Sequence, residues 1–215
     1  MRTYPVKTPG IVKRIFGKYR WQIHTGKKEI YLTFDDGPIP EITSWVLQNL
    51  SQYDAKATFF CIGENVKKHP KIFQKIVSDR HSIGNHTNDH LNGWKTGGSE
   101  YIDNIEKAEG IFRSQIADKQ KLTIDIFRPP YGKIKTSQAN RIIKKGYDII
   151  MWDVLSGDFD QSISKEKCLK NVLKNTNSGS IVVFHDSKKA FKKLEYVLPK
   201  TLEYFTNRGY EFKGI

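Results

Sequence analysis

A chain of 215 residues can bury one substantial core and is short for two, and its 38% apolar content with intermixed charge excludes a disordered tract. No apolar run approaches the roughly 20 residues of a spanning helix, and Cys61 and Cys168 are too few for a disulfide scaffold, so both read as buried thiols. The net charge of +13 invites an anionic partner, but no recognised nucleic-acid module accompanies it and nucleic-acid binding is not expected. The N-terminus lacks the apolar stretch of a secretory signal, so the chain reads as a cytoplasmic monomer, or as exported by a signal outside this sequence.

The first predicted element lies in a basic extension, residues 1–28, whose Arg2, Lys7, Lys13, Arg14, Lys18, Arg20, Lys27 and Lys28 are accompanied by no acid. Ile11, Ile15 and Tyr19 recur every four residues beside Val12 and Phe16, which predicts a short amphipathic helix with a basic face. Such a helix suits peripheral contact with a membrane or an anionic polymer. Gly17 weakens it as a free-standing element, however, and packing over the bottom of the domain is the preferred reading.

From residue 29 to 215 a single domain is predicted, with strand runs at Glu29–Phe34, Ala57–Gly63, Ser82–Asn85, Asp125–Arg128, Tyr147–Val154, Ser180–His185 and Tyr210–Lys213. Segments of helical period lie between them near 41–52, 64–79, 99–115, 136–145, 164–175 and 189–207. The alternation marks an α/β fold with a mainly parallel sheet, open or closed into a barrel, in which chemistry gathers at the carboxyl ends of strands. Asp35, Asp36, His86, Arg128, Asp158 and His185 all fall at or just past such ends.

Asp35-Asp36-Gly37-Pro38 closes the first strand run. Neighbouring strand side chains point to opposite faces, so two carboxylates can share one site only if the chain leaves the strand there, as Gly37 and Pro38 allow. His86 and His90, four residues apart, can reach one cation from a helical turn or a tight loop. With one carboxylate they make a His₂Asp set that leaves positions open for water and substrate. Arg128-Pro129-Pro130-Tyr131-Gly132 is a stiff loop able to present a backbone N–H to an oxyanion. The run Ile181–Phe184 ends in His185, by itself either a core histidine or an acid–base group. The small-residue loop Asn92–Ser99 can form part of a substrate rim.

Taken in order, Thr33-Phe34-Asp35-Asp36-Gly37, His86-Thr87-Asn88-Asp89-His90, Arg128-Pro129-Pro130-Tyr131-Gly132, Trp152 through Phe159, and Val183-Phe184-His185 resemble the five motifs of the polysaccharide deacetylase family. This is the NodB-homology group, carbohydrate esterase family 4. The resemblance covers about residues 29–215 and implies a distorted (β/α) barrel of about seven strands. It implies one divalent ion on Asp36, His86 and His90, with Zn²⁺ first and Co²⁺ or Ni²⁺ as alternatives. It further implies Asp35 as catalytic base, His185 as catalytic acid, Arg128 orienting the base and Asp158 tuning the acid. Tyr131 matches the position whose backbone N–H assists at the oxyanion, with Pro130, Trp152 and Val183 beside it on the substrate side.

The implied activity is metal-dependent removal of N-acetyl groups from a peptidoglycan- or chitin-like polymer or oligosaccharide, releasing acetate. Alternatives on the same fold are an O-acetyl esterase acting on acetylated polysaccharide and a non-catalytic glycan-binding module. The intact base, acid and ligand positions weigh against the module. The chain departs from the family pattern at Leu155-Ser156-Gly157-Asp158-Phe159, where Asp-Ser-x-Asp-Trp is usual, and at Arg80, where Gly is common. His81 reads as structural.

Overall fold

The computed structural model describes residues 4–116 and 123–215. Seven parallel strands curl into a half-barrel: β1 (Glu29–Asp35), β2 (Thr58–Cys61), β3 (Ser82–Asn85), β4 (Ile126–Phe127), β5 (Asp148–Ile149), β6 (Val154–Leu155) and β7 (Ile181–His185). Their spatial order is β5-β4-β3-β2-β1-β7-β6, and β8 (Glu211–Phe212) pairs with the first residues of β1. Helices α1 (Gly10–Ile15), α2 (Ile42–Ser51), α3 (Gly63–Lys68), α4 (Pro70–Ser78), α5 (Gly98–Ser114), α6 (Thr136–Lys144), α7 (Lys165–Asn175) and α8 (Phe191–Thr206), with a 3-10 turn at Pro130–Gly132, complete the described elements. None of these helices is long and apolar enough to cross a membrane.

The strand period of two separates two cores. Ile30, Leu32, Phe34, Phe127, Val182 and Phe184 point outward into the large cluster under the helices. Tyr31, Phe60, Ile126 and Ile181 form a smaller cluster inside the curl. The same alternation aims Thr33, Asp35, Arg128, Val183 and His185 inward. Parallel strands buried on both faces account for their nearly continuous apolar runs. Both cysteines are buried free thiols.

Two predicted elements are divided. The helix expected over 64–79 breaks at His69, whose backbone is non-helical (φ −130°, ψ 56°), and restarts with Pro70 in its first turn. The strand run 147–154 splits into β5 and β6 because Arg128 takes two successive carbonyls, donating from Nε to Ile150 O (3.2 Å) and from a terminal nitrogen to Met151 O (2.9 Å). Consecutive carbonyls in a regular strand point opposite ways, so a strand cannot serve one guanidinium twice in a row.

The N-terminal segment covers both open edges of the sheet. Leu155 donates its N–H to Val6 O (2.8 Å) at β6, while Arg20 donates to Ile149 O (2.8 Å) and accepts from Met151 (2.7 Å) beside β5. Lys7 and Lys13 both pair at 2.5 Å with Asp153, a buried carboxylate at the start of β6. Tyr19 and Trp21 are buried in the main core.

Arg80 closes α4 with φ at 61°, while His81 donates its N–H to Ile76 O (3.2 Å), the hydrogen bond of a left-handed helix cap. Glycine avoids the Cβ penalty of that conformation, which explains the family's usual residue. Arg80→Gly is therefore expected to stabilise the fold by about 0.5–1 kcal/mol, raising Tm by about 1–3 °C. A lower Tm in a thermal melt would show that the arginine side chain outweighs the strain. His81 itself is buried, accepts the Ala57 N–H at Nδ1 (3.2 Å) and stands edge-on to Phe59. Burial pulls its imidazole down to about 4, the neutral form this structural contact needs.

Candidate active site and metal centre

Asp35 and His185 are the last residues of β1 and β7 and are aligned in register, so their side chains stand next to each other on the inner face. Asp36 follows, with φ at 84°, a left-handed turn that redirects a side chain which strand alternation would send outward. The turn is held from both sides: Asn65 donates its side-chain amide to Asp36 O (2.7 Å), and the Gly37 N–H is received by Asp186 Oδ1 (2.9 Å). A Cβ on Gly37 would run into that carboxylate, so glycine is required there. Asp186 also accepts the Thr43 hydroxyl (2.5 Å), and burial pushes its carboxyl up to about 7.

His86 and His90 come from a tight loop, not a helix, with positive φ at Thr87 and His90. Asn85 Oδ1 accepts the Thr87 N–H (2.8 Å), and Asn104 Oδ1 accepts the Asn88 and Asp89 N–H groups (2.8 and 3.1 Å). Asp36 Oδ1 stands 3.3 Å from His90 Nε2 and 3.9 Å from His86 Nε2, and one donor atom from each residue lies within 4.8 Å of the others. Donors about 2.1 Å from a tetrahedral ion are roughly 3.4 Å apart, so the three fit one small cation. His86 Nδ1 is 2.8 Å from Arg128 O, which directs Nε2 to the cluster in the manner of an outer-shell partner. Burial holds His86 down at about 4, in the neutral ligand form. Burial works against the Asp36 charge, but the His90 hydrogen bond and the field of the His185 imidazolium hold its carboxyl well below the usual range.

Arg128 is fully buried, with its guanidinium 4.0 Å above the Phe60 ring. One terminal nitrogen donates to both Asp35 Oδ1 (2.7 Å) and Thr33 Oγ1 (2.6 Å). Asp158, also fully buried, accepts twice from His185: from the backbone N–H (2.7 Å) and from Nδ1 (2.8 Å). Burial alone would neutralise His185. The charge and hydrogen bond of Asp158, with Asp36 and Asp35 behind it, push the imidazolium up to about 10.

Pro130, Tyr131 and Gly132 form a 3-10 turn in which Tyr131 has φ at 60°. The turn's hydrogen bonds come from the Gly132 and Lys133 N–H groups, which leaves the Tyr131 N–H out of them. The exposed Tyr131 ring meets His90 edge-on at 4.6 Å. Trp152 packs on the backbone of Gly132, where a Cβ would come within 2.6 Å of the indole. Val183 lies two residues below His185 on the same inner row and is enclosed, so its side chain does not reach the rim. Leu155 is buried in β6, and Phe159 stands edge-on to His185 at 5.2 Å.

Sequence reasoning singled out neither Thr33, Asn65, Asn104 and Asp186 nor the exposed Trp94. Thr33 occupies the inward position before Asp35, so strand alternation could have found it; Asp186 is an acid directly after a buried run. Trp94 in the small-residue loop donates its indole N–H to Ile134 O (3.2 Å) and lies under Lys133. That contact sets the loop against the turn carrying Tyr131.

A curled parallel sheet carries at its carboxyl rim the Asp36, His86 and His90 cluster beside the Asp35–Arg128 and His185–Asp158 pairs. A family model described as Polysaccharide deacetylase matches residues 22–150. A peptidoglycan-N-acetylglucosamine deacetylase of Bacillus cereus is 38% identical over 161 residues, 75% of this chain and 57% of that protein's length. A chitooligosaccharide deacetylase of Azorhizobium caulinodans is 34% identical over 165 residues, 77% of each chain. The crystal structure of the Bc1960 peptidoglycan N-acetylglucosamine deacetylase, in complex with 4-naphthalen-1-yl-N-oxidanyl-benzamide, superposes with a TM-score of 0.86 at 31% identity, covering 97% of this chain and 95% of that one. The chain belongs to the polysaccharide deacetylase family.

Proposed function

We propose that the chain is a metal-dependent hydrolase that removes N-acetyl groups from an N-acetylated sugar polymer or oligosaccharide of peptidoglycan or chitin type. One arrangement carries this reading: Asp35 and His185, adjacent on the inner row, flank the Asp36, His86 and His90 cluster. The similarity to peptidoglycan and chitooligosaccharide deacetylases supports the substrate class.

A divalent cation on Asp36, His86 and His90, Zn²⁺ foremost with Co²⁺ or Ni²⁺ as substitutes, would polarise the acetyl carbonyl and acidify a water molecule. Asp35 is placed to take the proton from the attacking water. Its ion pair with Arg128 engages one oxygen and leaves the other for the proton. The Tyr131 N–H supports the negative charge that develops on the carbonyl oxygen. His185, charged through Asp158, protonates the departing nitrogen, without which an amine does not leave.

The test is acetate release from N-acetylglucosamine oligomers, peptidoglycan fragments and acetylated xylan, with and without added Zn²⁺ or Co²⁺. Metal-dependent release from the first two is expected; release from the xylan alone would assign the chain to ester hydrolysis. His86→Ala and His90→Ala should each lose stoichiometric metal by elemental analysis. Full retention by both variants overturns the ligand assignment.

A further inference from the structure

Three of the six large apolar side chains exposed among the described residues crowd one end of the molecule: Ile11 (61% exposed), Ile15 (68%) and Phe16 (44%). Ile143 joins them from α6: Lys18 reaches Asn140 at 2.9 Å, and Ile143 lies one turn further along that face. The remaining two, Trp94 and Tyr131, border the active site.

Helix α1 leaves most of its apolar side chains in solvent. No residue within it is fully buried; Val12 alone of its apolar residues packs against the core, beside Lys13, which reaches Asp153 and Gln22. The flanking chain is fastened by Lys7 on Asp153 and by buried Tyr19 and Trp21. The isoleucines are thus displayed on an anchored base and cannot fold back into the core. Arg14, Lys18 and Arg20 are exposed among them. A groove of about 700 Å³, lined by Lys13, Arg14, Lys18, Tyr19, Trp21 and the Arg20–Asp148 ion pair, opens alongside.

We propose that this face docks on an anionic phospholipid surface, with Ile11, Ile15 and Phe16 entering the acyl boundary and Arg14, Lys18 and the groove taking headgroup phosphates. A soluble polyanion would engage the cations but leave the apolar trio in water. A second copy of the chain would bring an equally basic segment against this one, and like charges oppose that contact. A bilayer of anionic lipid satisfies both halves of the surface. The face lies at the amino ends of the strands, where Asp153 and Ser180 begin β6 and β7, so docking leaves the carboxyl rim facing away from the lipid.

The test is sedimentation of the full chain with sucrose-loaded vesicles, either pure phosphatidylcholine or phosphatidylcholine with phosphatidylglycerol, a readout independent of acetyl hydrolysis. Binding is expected on the anionic vesicles only. The combined Ile11→Ser, Ile15→Ser, Phe16→Ser variant should partition at least about tenfold more weakly with an unchanged melting curve. Arg14→Gln and Lys18→Gln should each cost about fivefold, and salt should mimic them. The proposal is overturned if the wild type ignores anionic vesicles, or if the apolar variant binds them unchanged, which would leave a purely ionic polymer site. It is equally overturned if light scattering shows a dimer that the apolar variant dissolves while vesicle binding is absent.

Discussion

His185→Ala is expected to slow acetate release from an N-acetylglucosamine oligomer by roughly 10²–10⁴-fold, the range that a positioned acid–base group supplies. An amine cannot depart as its anion, whereas the phenolate of an activated aryl acetate can, so the loss on that ester should be much smaller. On the proposed mechanism Asp158 sets the pH dependence. The proposed role of His185 needs its protonated form, which burial disfavours and the doubly bonded Asp158 restores, pushing it up to about 10. Asp158→Asn removes the charge, lets the proton leave at lower pH and moves the alkaline limb of the rate profile downward. Equal impairment of His185→Ala on both substrates would assign His185 a shaping role and refute proton donation.

Asp35→Asn should be nearly as damaging to turnover, again roughly 10²–10⁴-fold, while leaving metal stoichiometry close to that of the wild type. The amide keeps the shape of the carboxylate but cannot take a proton from water. It also leaves Arg128 charged without a counterion in a fully buried place, which costs about 3–5 kcal/mol when one member of a buried pair is removed. A lower Tm should therefore accompany the lost activity. Metal loss in Asp35→Asn would mean that the two aspartates share the ion.

The period of two and the rule that chemistry gathers at strand ends make much of this site legible in the sequence. Asp35, His86, Arg128 and His185 sit at or just after the last inward position of a strand. Asp36 is legible only in part, because alternation sends it outward and its return depends on a left-handed turn fixed by Asn65 and Asp186, far away in the chain. The division of the 147–154 run was hidden for a similar reason: Ile150 and Met151 are good strand residues whose carbonyls are claimed by a guanidinium from another strand. The break at His69-Pro70 was visible in principle, since proline favours the first turn of a helix. The N-terminal segment does pack on the domain, through Val12, Lys13, Tyr19 and Trp21, but helical spacing did not say that Ile11, Ile15 and Phe16 would stay outside.

Arg128 has a further consequence. It leaves the sheet beside β4 near one edge, yet bonds Thr33 and Asp35 on β1, with β3 and β2 lying between in the sheet order. The side chain is thus a chord drawn across the arc of the half-barrel, and its length helps set how tightly the sheet is rolled. The spacing between Asp35 on β1 and the histidines that follow β3 depends on that roll, so curvature and the geometry of the proposed site share a determinant. Lysine in its place would keep the charge, but its point-like ammonium cannot hold Ile150, Met151, Thr33 and Asp35 in one plane. A relaxed arc, with the reacting groups drifting apart while every one of them is still present, is what that substitution would produce.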